Sequence, residues 1–210
     1  MIERKLYLVR HGERLDSVDR TWRGEKYNPP LSDTGLQQAH LLGDRLKSSP
    51  IDLIVSSPYL RALQTANAIA QARHQRFIVD KGVGEWQGKS MMPQRPTLTP
   101  PEHYKDDFHL MDLSHQSEVS PIWGESVAQV FERYQKAVSA LLKKYDGNIL
   151  IVGHGRTVTG IAHVLTDKPE AYFQYHLAGL TVLCLSNGNW TIELNSDTAH
   201  LAQSIEPYWV

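Results

Sequence analysis

Two histidines stand where an apolar run gives way to glycine. His11 closes "LYLVRHG" and His154 closes "GNILIVGHG". Imidazole can act as nucleophile, acid or base near neutral pH. Arginine keeps company with the first: Arg10 precedes His11 and Arg14 follows it in "RHGER". Arg61 stands one turn into the predicted helix of "SSPYLRALQTA", and Glu85 lies in "GVGEWQG". Each of these residues has a plain structural reading when taken alone. Together they imply a site for a multiply charged anion, because guanidinium groups grip phosphate in bidentate fashion. The following glycines let the backbone turn tightly and a ligand approach closely.

For these groups to meet, the elements around them must converge. "KLYLV" (5–9), "IDLIVSS" (51–57), "RFIVD" (76–80) and "GNILIVGHG" (147–155) read as strands. Helical spacing marks a segment entered near Thr34 with Ser32 or Asp33 as its cap, and a face of Leu36, Ala39, Leu42 and Leu46. Further helices are predicted over 58–72, 124–145 and 157–166. The second of these carries a face of Val127, Val130, Phe131, Tyr134, Val138, Leu141 and Leu142. A hairpin over 180–195 turns at "NGN". Strands alternating with helices predict an α/β fold of three layers, a mostly parallel sheet with helices on both faces. The hairpin would add an antiparallel edge. In such sheets ligands bind beyond the carboxyl ends of the strands, and His11, Ser56-Ser57, Glu85 and His154 all follow strands. Residues 87–123 are broken by Pro93, Pro96, Pro100, Pro101 and Pro121. They are expected to form a long irregular lid with a short helix near 101–110. We expect one domain over 1–210.

Composition narrows the function. The chain has 210 residues, 41% hydrophobic and 21% charged, with a net charge of -1. That balance argues against nucleic acid or anionic membrane as a general partner. The one cysteine, Cys184, favours a reducing compartment. No signal-peptide pattern or membrane-length run is present. A cytoplasmic monomer or simple homo-oligomer is therefore the expectation; it is the arginine cluster, and not the composition, that points to a small phosphate ester or phosphorylated substrate as partner.

The quoted motifs, from "LVRHGE" and "PLSDTGLQQA" through "SSPYLRALQTA" to "GNILIVGHG", resemble the histidine phosphatase superfamily, also called phosphoglycerate mutase-like, over nearly the whole chain. The resemblance implies that His11 is the phosphorylated nucleophile and that Arg10, Arg61 and His154 bind the phosphate. Glu85 matches the proton donor, with Glu13 as a nearby competitor. "RHGER", which adds Arg14, and the "EW" of Glu85-Trp86 are similar to the ecdysteroid-phosphate and T-cell signalling suppressor phosphatases. A phosphomonoesterase of histidine acid phosphatase type is implied, or else a mutase of the same fold. A non-catalytic phosphate-binding module is disfavoured by the complete residue set.

The chemistry is consistent with that resemblance. A neutral imidazole attacks phosphorus, Arg10, Arg14 and Arg61 stabilise the equatorial oxygens and bind the substrate, and His154, if protonated, adds a donor. Glu85, held protonated in a partly buried site, serves the leaving oxygen and then activates water. No cofactor or metal is expected: the histidines lack zinc-motif spacing, and no acidic cluster suggests a magnesium cage. Trp22, Tyr27, Trp86 and Trp123 lie in loops near the site. They suit either an apolar wall for a bulky leaving group or packing of the lid. Residues 16–30 carry no recognisable motif.

Overall fold

The computed structural model describes residues 4–202. In chain order it contains β1 (Arg4–Arg10), α1 (Leu15–Val18), α2 (Asp33–Leu46), β2 (Leu53–Ser56), α3 (Leu60–Arg73), β3 (Phe77–Val79) and β4 (Met111–Asp112). There follow α4 (Val127–Lys144), β5 (Ile149–Gly153), α5 (Gly155–Thr166), β6 (Leu180–Ser186) and β7 (Asn189–Asp197).

The alternation along β1 shows how the layers arise. Leu6 and Leu8 point to one face of the sheet, Tyr7 and Val9 to the other, and all four are buried. The first pair joins a core cluster with Val130, Tyr134, Val138, Leu141, Val158 and Ile161 from α4 and α5. The second joins Leu42, Leu46, Leu63 and Ile69 from α2 and α3. Helices thus cover both faces, and each fully buried leucine contributes about 2 kcal/mol. Ser32 caps α2 by accepting from the Gly35 N–H. Ser126 and Gln129 form a reciprocal capping box on α4, a feature worth about 1 kcal/mol.

The seven strands run in the order β4-β3-β2-β5-β1-β6-β7. The pairs β3–β4, β2–β3, β2–β5 and β1–β5 are parallel, while β1–β6 and β6–β7 are antiparallel. The edge hairpin turns at Asn187 (φ 53°) and Gly188 (φ 80°), as the right-handed twist of its strands requires.

Several expectations are corrected. The long insertion over 87–123 forms one 3-10 turn, Pro101–Tyr104, in place of a helix over 101–110. It also supplies β4, a two-residue edge strand parallel to β3. Phe108 and Met111 from this segment belong to the core cluster beneath α3. Leu36 and Val127 lie in the first turns of their helices, beyond the packing face, and are exposed. Residues 203–210, the end of the C-terminal tail, lie outside the described range. No helix among the described residues is long and apolar enough to cross a membrane.

Candidate active site

Register brings the two histidines together. Arg10 pairs with Gly153 across β1 and β5, and Ser56 pairs with Val152 across β2 and β5. The residue after each strand therefore emerges at the same edge. His11 N–H donates to the Gly153 carbonyl at 3.0 Å and Ser57 N–H to the Val152 carbonyl at 2.9 Å. The two imidazole rings meet edge-on with centroids 5.3 Å apart.

Gly12 owes its place to close packing. A Cβ there would stand 2.5 Å from the Gly35 carbonyl oxygen, and one on Gly35 would stand 2.1 Å from that of Glu13. The start of α2 can press against the loop after β1 only because neither residue has a side chain.

His11 is buried, and its Nδ1 lies 2.7 Å from the Gly12 carbonyl oxygen. A carbonyl only accepts, so Nδ1 carries the proton and Nε2 keeps its lone pair. That lone pair accepts from Arg61 Nε at 3.1 Å. Burial, then the charges of Arg61 and Arg10, hold the His11 pKa well below the usual imidazole value. The ring is neutral at physiological pH.

Arg61 is the hub of the site. Its side chain is only 2% exposed. Nη2 donates to His154 Nδ1 at 3.1 Å and to Glu85 Oε2 at 3.4 Å, and Nη1 donates to the Tyr27 carbonyl at 3.2 Å. The guanidinium lies 4.7 Å over the Tyr59 ring. Desolvation lowers its pKa to about 10, which still leaves it charged. The amide of Leu60 at the start of α3 is capped by Asn28 Oδ1, so residues 27–28 hold both the helix end and the arginine.

His154 is fully buried, with Nε2 2.8 Å from Ser57 Oγ and Nδ1 3.2 Å from Glu85 Oε2. Burial first, then Arg61, His11 and Arg10, push its pKa well below the ordinary value. The ring is neutral, which corrects the expectation of a protonated donor. Tyr59 packs edge-on against it at 4.9 Å.

The remaining predicted residues divide. Glu85 faces Arg61 and His154, as above. Glu13 points elsewhere: its carboxylate accepts from the Ser32 hydroxyl at 2.6 Å, and its N–H donates to Gln38. Arg10 donates to the Tyr175 carbonyl at 2.8 Å and lies 5.5 Å from the Tyr175 ring centroid. Burial lowers its pKa, with Glu85 opposing. Arg14 is half exposed and bound bidentately by Asp16 at 2.9 and 3.0 Å. Its charge reaches His11, Arg10 and Arg61, but its Nε and Nη2 are engaged by Asp16 at the rim.

The loop aromatics pack the surrounding segments. Tyr27 Oη accepts from Gln94 N–H, Trp123 donates to the Met92 carbonyl, and Trp86 donates to the Glu125 carbonyl beneath Arg156. A cavity of about 710 Å³ opens under the 87–123 insertion, lined by Pro58, Tyr59, Lys81, Gln87, Arg95 and Leu98 among others. None of Trp22, Tyr27, Trp86 or Trp123 lines it. Among the described residues no group of three or more His, Cys, Asp or Glu could hold a metal ion. Sequence reasoning placed Ser57 at the strand edge without giving it a contact, and missed Tyr59 and Tyr175 as contacts of the central residues. Ser57 follows a strand like the others, but Tyr59 and Tyr175 carry no sequence signal.

Residues 6–198 match the family described as the histidine phosphatase superfamily (branch 1). The chain belongs to that superfamily. It is 30% identical over 209 residues to a probable phosphoglycerate mutase, GpmB, of Yersinia pestis (strain Pestoides F), covering 94% of each chain. Its fold is similar to that of the ecdysone phosphate phosphatase from Bombix mori, solved with tungstate, with a TM-score of 0.75 and 21% identity over 99% of this chain and 96% of that one. It is also similar to the phosphoserine phosphatase of Entamoeba histolytica in complex with 3-phosphoglyceric acid. There the TM-score is 0.68 and the identity 24%, over 94% and 98% of the two chains. The superfamily's relatives of this chain are thus named both as phosphatases and as mutases.

Proposed function

We propose that the chain is a phosphomonoesterase that works through a phosphohistidine on His11, without metal. The observation that carries this reading is the state of His11: neutral, its Nδ1 proton fixed on the Gly12 carbonyl, its Nε2 lone pair aimed at Arg61. Phosphoryl transfer asks mainly for position and charge. Nε2 attacks phosphorus in line, forming the N–P bond as the P–O bond to the alcohol breaks. Glu85 gives its proton to the departing oxygen. Arg10 and Arg61 carry the negative charge of the equatorial oxygens, the part a metal plays elsewhere. With Nδ1 of the neutral His154 ring accepting from Arg61 Nη2, its Nε2–H donates to the Ser57 hydroxyl oxygen, and the ring holds the Arg61 fork toward the same oxygens. Water then gives a proton to the Glu85 carboxylate as its oxygen attacks phosphorus. The N–P bond breaks, and inorganic phosphate leaves with His11 restored. The geometry favours Glu85 over Glu13 as the proton donor, since Glu13 is engaged by the α2 cap.

Hydrolysis, as against mutase transfer, is the reading we adopt; the cavity beside Tyr59 and Gln87 is lined by none of Arg10, His11, Arg61, Glu85 or His154 and adjoins them only through Tyr59, which packs on His154 and Arg61. The cavity volume of about 710 Å³ lies in the range of sites that take drug-sized molecules, far more than a three-carbon acid fills. The second reading, a phosphoglycerate mutase, rests on the name of the relatives at 30% identity. A panel of aryl and bulky alkyl phosphates, run beside 3-phosphoglycerate primed with bisphosphoglycerate, separates the two. Release of inorganic phosphate from the esters, with slow isomerisation, is expected. Fast isomerisation with negligible phosphate release overturns the phosphatase reading.

A further inference from the structure

Glu85 sits on a segment with little regular structure, one 3-10 turn over Lys81–Val83 and then extended chain. Its backbone is nevertheless tied down residue by residue. Arg133, buried on α4, donates from Nη1 to the carbonyls of Gly82 at 2.7 Å and Gly84 at 3.0 Å, and from Nη2 to that of Glu85 at 3.3 Å. The Tyr134 hydroxyl donates to the Gly84 carbonyl and the Thr157 hydroxyl to that of Val83. Arg133 is itself oriented by Glu125, which accepts from Nε at 2.9 Å and from Nη2 at 2.6 Å. The same carboxylate takes the Gln87 N–H at 3.1 Å, and the Glu125 carbonyl takes the Trp86 indole N–H at 2.9 Å. Both side chains are about 5% exposed.

We propose that the buried Glu125–Arg133 pair is a positioning device for the proton donor, holding the 82–87 segment so that the Glu85 carboxyl meets the leaving oxygen. This rests on the reading of Glu85 given above. Neither residue touches the carboxyl of Glu85; they act through its backbone and both its neighbours. A buried ion pair is a poor source of stability, since apolar replacements of similar volume are often neutral or better. What this pair supplies is direction. All five guanidinium N–H groups are directed either at Glu125 or at the carbonyls around Glu85. A displacement of about 1 Å at a reacting group costs on the order of 10²-fold in rate.

The test compares O-phosphoserine, whose leaving group needs a proton, with para-nitrophenyl phosphate, whose leaving group does not. The double variant Glu125→Leu/Arg133→Met removes both charges together and avoids stranding one of them. It is expected to keep its circular dichroism spectrum and to lose on the order of 10²-fold in kcat on O-phosphoserine, with less than about fivefold lost on the nitrophenyl ester. Arg133→Lys keeps a cation beside Glu125 but drops the fork, and is expected to show the same selectivity on a smaller scale. Adding Glu85→Gln to the double variant is expected to cost nothing further on O-phosphoserine, because both changes remove one function. Equal losses on the two esters in folded variants, or losses that add to those of Glu85→Gln, overturn the proposal. Glu85→Gln alone reads the underlying assignment. If that single variant loses equally on both esters, the proton-donor reading fails and this inference fails with it. If it is selective and the pair variants are not, only the inference fails.

Discussion

Replacing Arg61 by lysine separates charge from geometry at the centre of the site. Arg61 Nε and Nη2 together reach His11, His154 and Glu85, each within 3.4 Å. Those two adjacent N–H edges form the fork that two phosphoryl oxygens would occupy during transfer. Lysine keeps the positive charge, so its attraction to Glu85 survives, but it presents a single ammonium. One preorganised donor to transition-state charge is worth about 2.7–4 kcal/mol, or 10²–10³ in kcat. Arg61→Lys is therefore expected to lose about 10²–10³ in kcat/KM, mostly in kcat, on aryl and alkyl phosphates alike. Arg61→Ala loses the second donor and the charge as well, and is expected to fall by about 10³ or more. Initial rates on para-nitrophenyl phosphate, taken beside thermal melts, give the answer. The melts matter because Arg61 also holds the Tyr27 carbonyl. A folded Arg61→Lys enzyme within about threefold of wild type refutes the reasoning, since a fork that can be removed so cheaply does not face the reacting phosphate.

Arg14→Ala is expected to cost less than about tenfold in kcat/KM, because its Nε and Nη2 are bound by Asp16 at the exposed rim; a loss as large as that at Arg61 would place Arg14 inside the phosphate site. Acid should destabilise the fold through His11 and His154. Their folded pKa values lie well below 6.5, so below that pH the unfolded chain binds protons that the native state does not, and stability falls as pH falls. Near pH 5.5 each histidine contributes about 1.2 kcal/mol per pH unit to that slope. His11→Ala should be flatter by about that amount in denaturant titrations at pH 5–6; an unchanged slope contradicts a buried neutral His11.

Much of the site could be read from sequence, because His11 and His154 each follow a strand end, Arg10 closes a strand, Arg61 lies in the first turn of the helix after β2, and strand ends in a parallel sheet meet. The apolar run before His11 and the run before His154 carried that information directly. So did Ser32, a capping residue ahead of a helical period, and the Asn-Gly turn of the hairpin. What could not be read depended on contacts between distant segments. β4 has two residues, too few to show a period, and exists because β3 offers an unpaired edge. The preference we propose for Glu85 over Glu13 rests on the Ser32 hydroxyl, which engages the Glu13 carboxylate. The protonation of His154 depended on how completely Tyr59, Arg61 and Ser57 enclose it. No sequence signal marks Glu125 and Arg133 for burial; both are buried because the 82–87 segment folds over them. For the loop aromatics an apolar wall and lid packing were equally open; the hydrogen bonds of Trp86 and Trp123 brace neighbouring loops.

A covalent phosphohistidine on His11 can be trapped. Wild-type enzyme turning over radiolabelled para-nitrophenyl phosphate is quenched under alkaline denaturing conditions, which preserve phosphohistidine, and digested. Label is expected on the peptide containing His11, lost on mild acid treatment, with no label in a folded His11→Ala variant, which is also inactive. Label on another residue, or a His11→Ala enzyme that turns over at near wild-type rate, would contradict a phosphohistidine on His11.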